Sequence, residues 1–125
     1  MPTLLIADDS MFQRFQAAKV AREAGFAVIE AKDGQECLRL ARECRPDALL
    51  LDLNMPDPGG LAVMEILSRD MPGLAVVVVT ADIQETTRGR CLALGARGFL
   101  NKPVDGPSLR EALEPFCQER PDGTP

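Results

Sequence analysis

Five polar residues of this 125-residue chain stand at or just after the ends of short apolar runs. The acidic members are Asp8, Asp9 and Asp52, and the others are Thr80 and Lys102. Three carboxylates held close together repel one another and cannot all stay ionised without a cation. The chain has no histidine, and oxygen ligands of this kind select a hard cation such as Mg²⁺, which also favours phosphates.

The other two side chains extend this chemistry to phosphoryl transfer. The Lys102 ammonium and the Thr80 hydroxyl could hold oxygens of a phosphoryl group opposite the metal. Asp52 ends an otherwise aliphatic run, where a lone carboxylate is costly to bury unless another group pairs with it. It is therefore a candidate carboxylate nucleophile, placed to take a phosphoryl group in line.

The elements that must position these residues follow from an alternation of aliphatic runs with amphipathic stretches. The runs predict five strands, at Leu4–Ala7, Ala27–Ala31, Ala48–Asp52, Leu74–Thr80 and Gly98–Asn101. Continuous Val, Leu and Ile in three of them are typical of strands buried on both faces. The amphipathic stretches predict helices over Met11–Ala24, Gln35–Cys44, Leu61–Arg69, Ile83–Leu94 and Ser108–Phe116.

The helix ends carry their usual signals. Ser10 and Asp82 are predicted to cap the first and fourth helices, and Gly25 to end the first. Asp105 lies close to the start of the fifth helix, which Pro115 should kink or end. Separately, the phenylalanines at positions 12, 26 and 116 are predicted to be core residues.

The order of elements is therefore (βα)₅, which predicts an α/β fold with a doubly wound, parallel five-stranded sheet. Sites in such sheets lie at the carboxyl ends of the strands, near the switch point, so the five polar residues should meet there. We expect one domain over residues 1–118. The polar, Pro-rich residues 119–125 are expected to be a frayed tail or the start of a linker.

Composition excludes several classes of function. The net charge of −5 and the lack of Tyr and Trp disfavour nucleic acid binding. The absence of histidine removes Ser/His and Cys/His nucleophile pairs. The four cysteines have no CxxC spacing and are read as small hydrophobes. The apolar runs are too short to span a bilayer and the start lacks a basic segment, so a cytoplasmic location without membrane contact is expected.

These motifs, taken in order, resemble the receiver domain of bacterial two-component response regulators, the CheY-like proteins. The resemblance covers nearly the whole chain, from Pro2 to about Cys117. The matching segments are Asp8-Asp9-Ser10, Asp52-Leu53-Asn54-Met55-Pro56, Thr80-Ala81, Gly95–Leu100 and Lys102-Pro103.

The resemblance implies that Asp52 accepts a phosphoryl group from a histidine kinase or phosphotransfer protein, with small phosphodonors as further possible sources. It implies that Asp9, Asp52 and the backbone carbonyl of Asn54 ligate Mg²⁺, and that Asp8 contacts the metal through water. The segment Pro58-Gly59-Gly60 departs from the family pattern and could reshape the loop beside the metal without removing any of these ligands.

The resemblance also implies a switch. Lys102 pairs with the phosphate, while Thr80 bonds a phosphoryl oxygen and moves when it arrives. Phe99 matches the aromatic position that turns inward when Thr80 moves. The bond from Lys102 to Pro103 is expected to be cis on the strength of the family alone.

Two further hypotheses concern partners and signal lifetime. Met11 and Phe15 lie on the predicted outer stripe of the first helix and could form an apolar docking patch for the kinase. The alternative is that Phe15 is buried. Asn54 and Asp82 should flank the path of water to phospho-Asp52, and Asp82 could orient that water. Neither is bulky and apolar, which predicts a phosphorylated state lasting minutes or less.

The expected output is a changed surface around the fourth helix, fifth strand and fifth helix. A downstream protein would bind it, as in a stand-alone, chemotaxis-type regulator that is not an enzyme. The alternative is an excised receiver of a longer regulator with a DNA-binding or enzymatic domain. A Mg²⁺-dependent aspartyl phosphohydrolase would place a second Asp two residues after the nucleophile, where this chain has Asn54. A flavodoxin-type protein would need phosphate-cradling loops and flanking aromatics.

Overall fold

The computed structural model describes residues 1–117 as five strands alternating with five helices. The strands are β1 (Thr3–Ala7), β2 (Ala27–Ala31), β3 (Ala48–Asp52), β4 (Ala75–Thr80) and β5 (Gly98–Asn101). The helices are α1 (Met11–Glu23), α2 (Gly34–Cys44), α3 (Gly60–Asp70), α4 (Glu85–Ala93) and α5 (Gly106–Cys117). The predicted tail, residues 119–125, and the proposed domain end at residue 118 lie outside the described residues.

All five strands are parallel and lie in the order β2-β1-β3-β4-β5. This confirms the predicted doubly wound sheet. The order reverses direction between β1 and β3, so the switch point lies between Ala7 and Asp52 at the carboxyl edge. Among the five helices, none is long and apolar enough to cross a membrane.

Alternate residues of the three central strands supply two separate cores. Leu5, Leu49 and Val78 face a cluster completed by α2, α3 and α4. Leu4, Leu50 and Val77 face a second cluster completed by α1 and α5. The continuous aliphatic runs are therefore explained, because side chains of a strand alternate between faces and both faces are covered.

Helix α1 corrects one prediction about the core. Phe12 was expected to be buried, yet 69% of its surface is exposed. The inward face of α1 consists of small residues, with Ala18 and Ala21 fully buried. Because alanines let the helix lie close to the sheet, its aromatic residues point outward. Phe26 is buried, and Phe116 packs against the core at partial exposure, as predicted.

Helix ends correct one further prediction and part of another. Asp82 is not the N-cap of α4, which begins at Glu85 with Gln84 as its cap residue. The Asp82 carboxylate instead accepts a bond from the Gln84 N–H at 2.9 Å, so residues 82–84 form a turn before the helix. Pro115 was predicted to kink or end α5, and the helix continues past it to Cys117, so the proline does not end it, while a kink there stays a prediction. Ser10 does cap α1, and Gly25 follows α1 with a φ of 104°.

Candidate functional site at the carboxyl edge of the sheet

The three predicted carboxylates meet at the switch point. Asp8 and Asp9 follow β1 and Asp52 ends β3, and one oxygen from each lies within 4.8 Å of the others. Asp52 is 2% exposed and Asp8 is 9% exposed, whereas Asp9 is open to solvent. Two buried acids and one exposed acid thus share a small volume that opens to solvent at Asp9.

The charges at this site are only partly compensated. Lys102 Nζ lies 3.0 Å from Asp52 Oδ2 and forms an ion pair with it. Burial, and the nearby Asp52 charge, raise the pKa of Asp8 from 3.8 to about 6, although the Ser10 N–H and the Lys102 charge act in the opposite direction. One lysine cannot neutralise three carboxylates, so a divalent cation fits the donor set.

The backbone around Asp52 is held in place. Its Oδ1 accepts a bond from the Asn54 N–H at 2.9 Å, and the next residue, Leu53, donates to the Val79 carbonyl at 3.0 Å. Gly60 lies so close to the end of β3 that a Cβ there would collide with the Asp52 carbonyl oxygen and with Leu53. Only glycine allows α3 to begin at that point.

The loop with the unusual sequence Pro58-Gly59-Gly60 packs against the start of α2. A Cβ on Gly34 would collide with the Pro58 carbonyl oxygen. The Asp57–Pro58 bond is cis, which the sequence did not predict, and the Lys102–Pro103 bond is cis, as the resemblance implies. The other two carboxylates, the Asn54 backbone and Lys102 remain beside Asp52 despite this departure.

Thr80 lies across the site at the end of β4 and is 1% exposed. Its hydroxyl donates to the Asn54 side-chain oxygen at 3.3 Å and accepts a bond from the Asp82 N–H at 3.1 Å. Phe99 on β5 is half-buried, and the Arg88 guanidinium lies 5.7 Å from the centre of its ring. The two predicted switch residues are thus both held by α4 or the loop before it.

Asp82, predicted to orient a water, directs its carboxylate elsewhere. Its Oδ2 accepts a bond from the Thr87 hydroxyl at 2.6 Å, and its other oxygen accepts the Gln84 N–H. These two bonds hold the pKa of Asp82 below its ordinary value, and the Thr87 bond is the larger cause. In this conformation the side chain of Asp82 supports the start of α4.

The first helix presents an exposed apolar surface beside the acids. Met11, Phe12 and Phe15 are 75%, 69% and 66% exposed. We call these three residues the α1 patch. A groove of about 680 Å³ runs between α1 and the chain after β5, with Phe12 and Phe15 at its rim and Asp52 and Lys102 among its lining residues. The predicted alternative, burial of Phe15, is therefore wrong.

Two residues that hold the elements of the site together were not predicted from the sequence. Asn101 donates its side-chain N–H to the Thr80 carbonyl at 3.4 Å and to the Asp82 carbonyl at 3.1 Å, tying β5 to the loop after β4. Arg14 donates to the Asp8 carbonyl at 2.7 Å and pairs with Glu30 at 3.2 Å. Arg14 lies one turn into α1 and faces Glu30 on the neighbouring strand β2. That position is the signal that could have indicated its role in holding the helix.

Comparison with known families decides the identity of this fold and site. The response regulator receiver domain matches residues 4–114, which is most of the chain. The chain belongs to the response regulator receiver family. Receiver domains are signalling modules, and the acidic cluster of this one lies where the family's metal site is expected.

Individual relatives of this receiver domain have different lengths. It is 34% identical to the chemotaxis protein CheY of Listeria monocytogenes over 91% of this chain and 97% of that protein. It is 39% identical to a protein-glutamate methylesterase/protein-glutamine glutaminase of Anaeromyxobacter dehalogenans, over 86% of this chain but 32% of that protein.

A solved structure adds a chemical observation about a relative. A response regulator from Burkholderia pseudomallei, 26% identical, was crystallised with a phosphorylated aspartic acid, a calcium ion and citrate. The two structures superpose with a TM-score of 0.82 over 90% of this chain and 66% of that one.

Proposed function

We propose that this receiver domain accepts a phosphoryl group on Asp52, from the phosphohistidine of a histidine kinase or phosphotransfer protein. The observation that carries the proposal is the pairing of Asp52 with Lys102 at 3.0 Å inside a cluster of three carboxylates. The phosphorylated aspartic acid of the Burkholderia relative supports it. Small phosphodonors such as acetyl phosphate would serve the same acceptor.

The donor set fits Mg²⁺ as the cofactor. Asp9, Asp52 and the carbonyl of Asn54 would hold the ion directly, and Asp8 would do so through water. Burial, more than the nearby Asp52 charge, raises the pKa of Asp8 to about 6, and a cation beside these carboxylates would favour their ionised form. When bound, Mg²⁺ supplies positive charge to both the carboxylates and the oxygens of the incoming phosphoryl group.

The transfer itself makes one bond and breaks one. An oxygen of Asp52 forms a P–O bond while the P–N bond to the donor's imidazole breaks, and the electron pair leaves with the ring nitrogen. The Lys102 ammonium, released from its pair with Asp52, holds a phosphoryl oxygen. The Thr80 hydroxyl bonds another of these oxygens, and its movement allows Phe99 to turn inward.

The α1 patch gives this reaction a docking surface for the donor protein. Its aromatic residues form the rim of the groove that contains Asp52 and Lys102. A partner helix seated on Phe12 and Phe15 would thus bring its phosphohistidine to the groove entrance. Met11, the most exposed of the three, extends the apolar contact.

The output of the switch is a protein-binding surface formed by α4, β5 and α5. Ile83 and Leu92 are exposed apolar residues of this region. The Phe99 ring contacts α4 through Arg88. The near-complete coverage of CheY supports a chemotaxis-type role in which the receiver acts alone. The methylesterase relative represents the alternative, a receiver within a longer regulator.

The first experiment is labelling with acetyl phosphate, followed by intact mass spectrometry with and without Mg²⁺. We expect one added phosphoryl group in the presence of Mg²⁺ and none after chelation. Asp52→Asn, which keeps the shape of the side chain, is the control and should stay unlabelled. Label retained on that variant would place the acceptor elsewhere and refute the proposal.

A further inference from the structure

Two hydrogen-bond donors of the loop after β4 converge on a single oxygen. The Thr80 hydroxyl and the Ala81 N–H both donate to Asn54 Oδ1, each at 3.3 Å. Asn54 stands directly beside the acceptor, because its own N–H bonds Asp52 Oδ1 at 2.9 Å. The Asn54 side chain is solvent-exposed, so it is not held there by burial.

A phosphoryl oxygen attached to Asp52 would offer these two donors a second acceptor beside Asn54. An oxygen of a phosphoryl group attached to Asp52 carries negative charge, and donors form shorter and stronger bonds to it than to an amide. The present bonds lie at the long end of the hydrogen-bond range, so each is weak. The amide oxygen of Asn54 and a phosphoryl oxygen would therefore compete for the same two donors. The phosphoryl oxygen would form the stronger bonds and displace the amide oxygen.

The same donors are connected to α4. While the Thr80 hydroxyl donates to Asn54, it accepts the Asp82 N–H at 3.1 Å. The Asp82 carboxylate in turn bonds Thr87 in the first turn of α4. A continuous chain of bonds thus runs from the Asn54 amide through Thr80 and Asp82 into the helix of the proposed output surface.

We propose that the Asn54 carboxamide oxygen is an internal stand-in for the phosphoryl oxygen. It holds Thr80 and Ala81 in the unphosphorylated arrangement, and a phosphoryl group on Asp52 must displace it before the switch can occur. Asn54 is therefore a positioning residue that sets the equilibrium between the two loop conformations. This inference rests on the proposed phosphorylation of Asp52.

The test is a titration with beryllium fluoride, a phosphoryl mimic, at saturating Mg²⁺, followed by amide resonances of the loop and of α4. Asn54→Ala removes the competing oxygen and leaves the backbone carbonyl that the metal would use. We expect its affinity for beryllium fluoride to rise about threefold to tenfold, the range that one or two weak hydrogen bonds support.

Asn101→Ala is the matched control. It also removes two bonds to this loop, but those bonds are to carbonyls and do not compete for the Thr80 and Ala81 donors. Its affinity for beryllium fluoride should not rise. Equal gains in both variants would mean that general loosening of the loop is responsible, which overturns the inference, and so would an unchanged or weaker affinity in Asn54→Ala.

A measurement on the wild-type chain avoids any folding defect of the variants. The chain has two asparagines, so the side-chain amide resonances of Asn54 are readily assigned. They should shift when beryllium fluoride binds, because the oxygen loses both donors, and an unshifted pair would refute the displacement. A wild-type chain that does not bind beryllium fluoride at all would instead refute the proposed phosphorylation.

Discussion

The two sides of the acidic site are built differently. On the side of α1, Ser10 caps a helix of 13 residues, and Arg14 ties that helix to Asp8 and to Glu30 on β2. On the side of α4, the helix has 9 residues, and in the described chain its cap residue makes no side-chain bond. The α4 side is held to the site mainly by hydrogen bonds between polar side chains and the loop.

Under the proposed function, this contrast would separate recognition of the donor from the response to phosphorylation. The α1 side has a fixed frame and exposes large apolar residues, which suits contact with a donor. The α4 side contributes Cys91 as its buried residue and includes Gly89, so little apolar burial opposes its movement. A receiver of this design can keep its docking surface constant while its output surface changes.

The largest expected effect tests whether the α1 side serves recognition alone. Phe15→Ser should slow phosphoryl transfer from a donor kinase at least about tenfold, since it removes a central apolar contact of an interface. Transfer from acetyl phosphate should be nearly unchanged, because the chemistry lies at Asp52. Parallel labelling time courses with both donors measure this.

Ile83→Ser is the control on the α4 side, because Ile83 is also exposed, at 80%. It should leave both labelling rates unchanged. Equal loss of both rates in Phe15→Ser would show damage to the fold and would break the distinction between the two sides.

The next effect is the pH dependence of stability and of Mg²⁺ binding, which the Asp8 carboxyl should control. Because the folded-state pKa of Asp8 is raised to about 6, the folded chain keeps a proton there that the unfolded chain loses near 3.8. Without metal, the stability that this proton contributes is present below about pH 3.8 and is lost as the pH rises towards 6. Bound Mg²⁺ must displace the same proton, so its affinity should fall up to about tenfold per pH unit below 6.

Calorimetric titration with Mg²⁺ between about pH 5 and pH 7 checks this, with proton release read from buffers of different ionisation enthalpy. Asp8→Asn should flatten the pH dependence. A wild-type affinity that does not change over this range would mean that Asp8 is already ionised and lies outside the metal cluster.

A smaller effect should appear in the lifetime of phospho-Asp52. Asp82→Arg would place a cation and a bulky side chain beside the path of water, and we expect decay to slow severalfold. The wild-type lifetime should be minutes or less. The measurement is loss of label after donor removal with Mg²⁺ present, and a wild-type lifetime of hours would contradict the open path predicted at Asn54 and Asp82.

The smallest effect probes the looseness of α4. Gly89→Ala should stabilise the chain by up to about 1 kcal/mol, because the added methyl group meets open space and alanine favours the helix. Hydrogen exchange in α4 should slow, while exchange in α1 stays constant. Gly25→Ala is the opposite control, since its φ of 104° disfavours alanine, and it should lower the melting temperature.

The sequence predicted those features that depend on the pattern of apolar residues along the chain and on the order of the strands. Continuous aliphatic runs identified the central strands, and the carboxyl-edge rule then brought Asp8, Asp9, Asp52, Thr80 and Lys102 together. The rule that large apolar residues are buried was wrong for Phe12, because alanines fill the inward face of α1. Side-chain bonds of Asn54, Asn101 and Asp82 could not be predicted, since they depend on side-chain rotamers at and after the ends of the strands.

The contact between Gly60 and the end of β3 has a consequence for genetic screens of this domain. Any side chain at position 60 pushes on the backbone of Asp52, although position 60 need not touch metal or phosphate. In a saturation library selected for signalling, position 60 should therefore tolerate as few replacements as the ionic residues do. A map of mutational sensitivity would then group this glycine with the signalling residues, although its only role is to leave space for the backbone of Asp52.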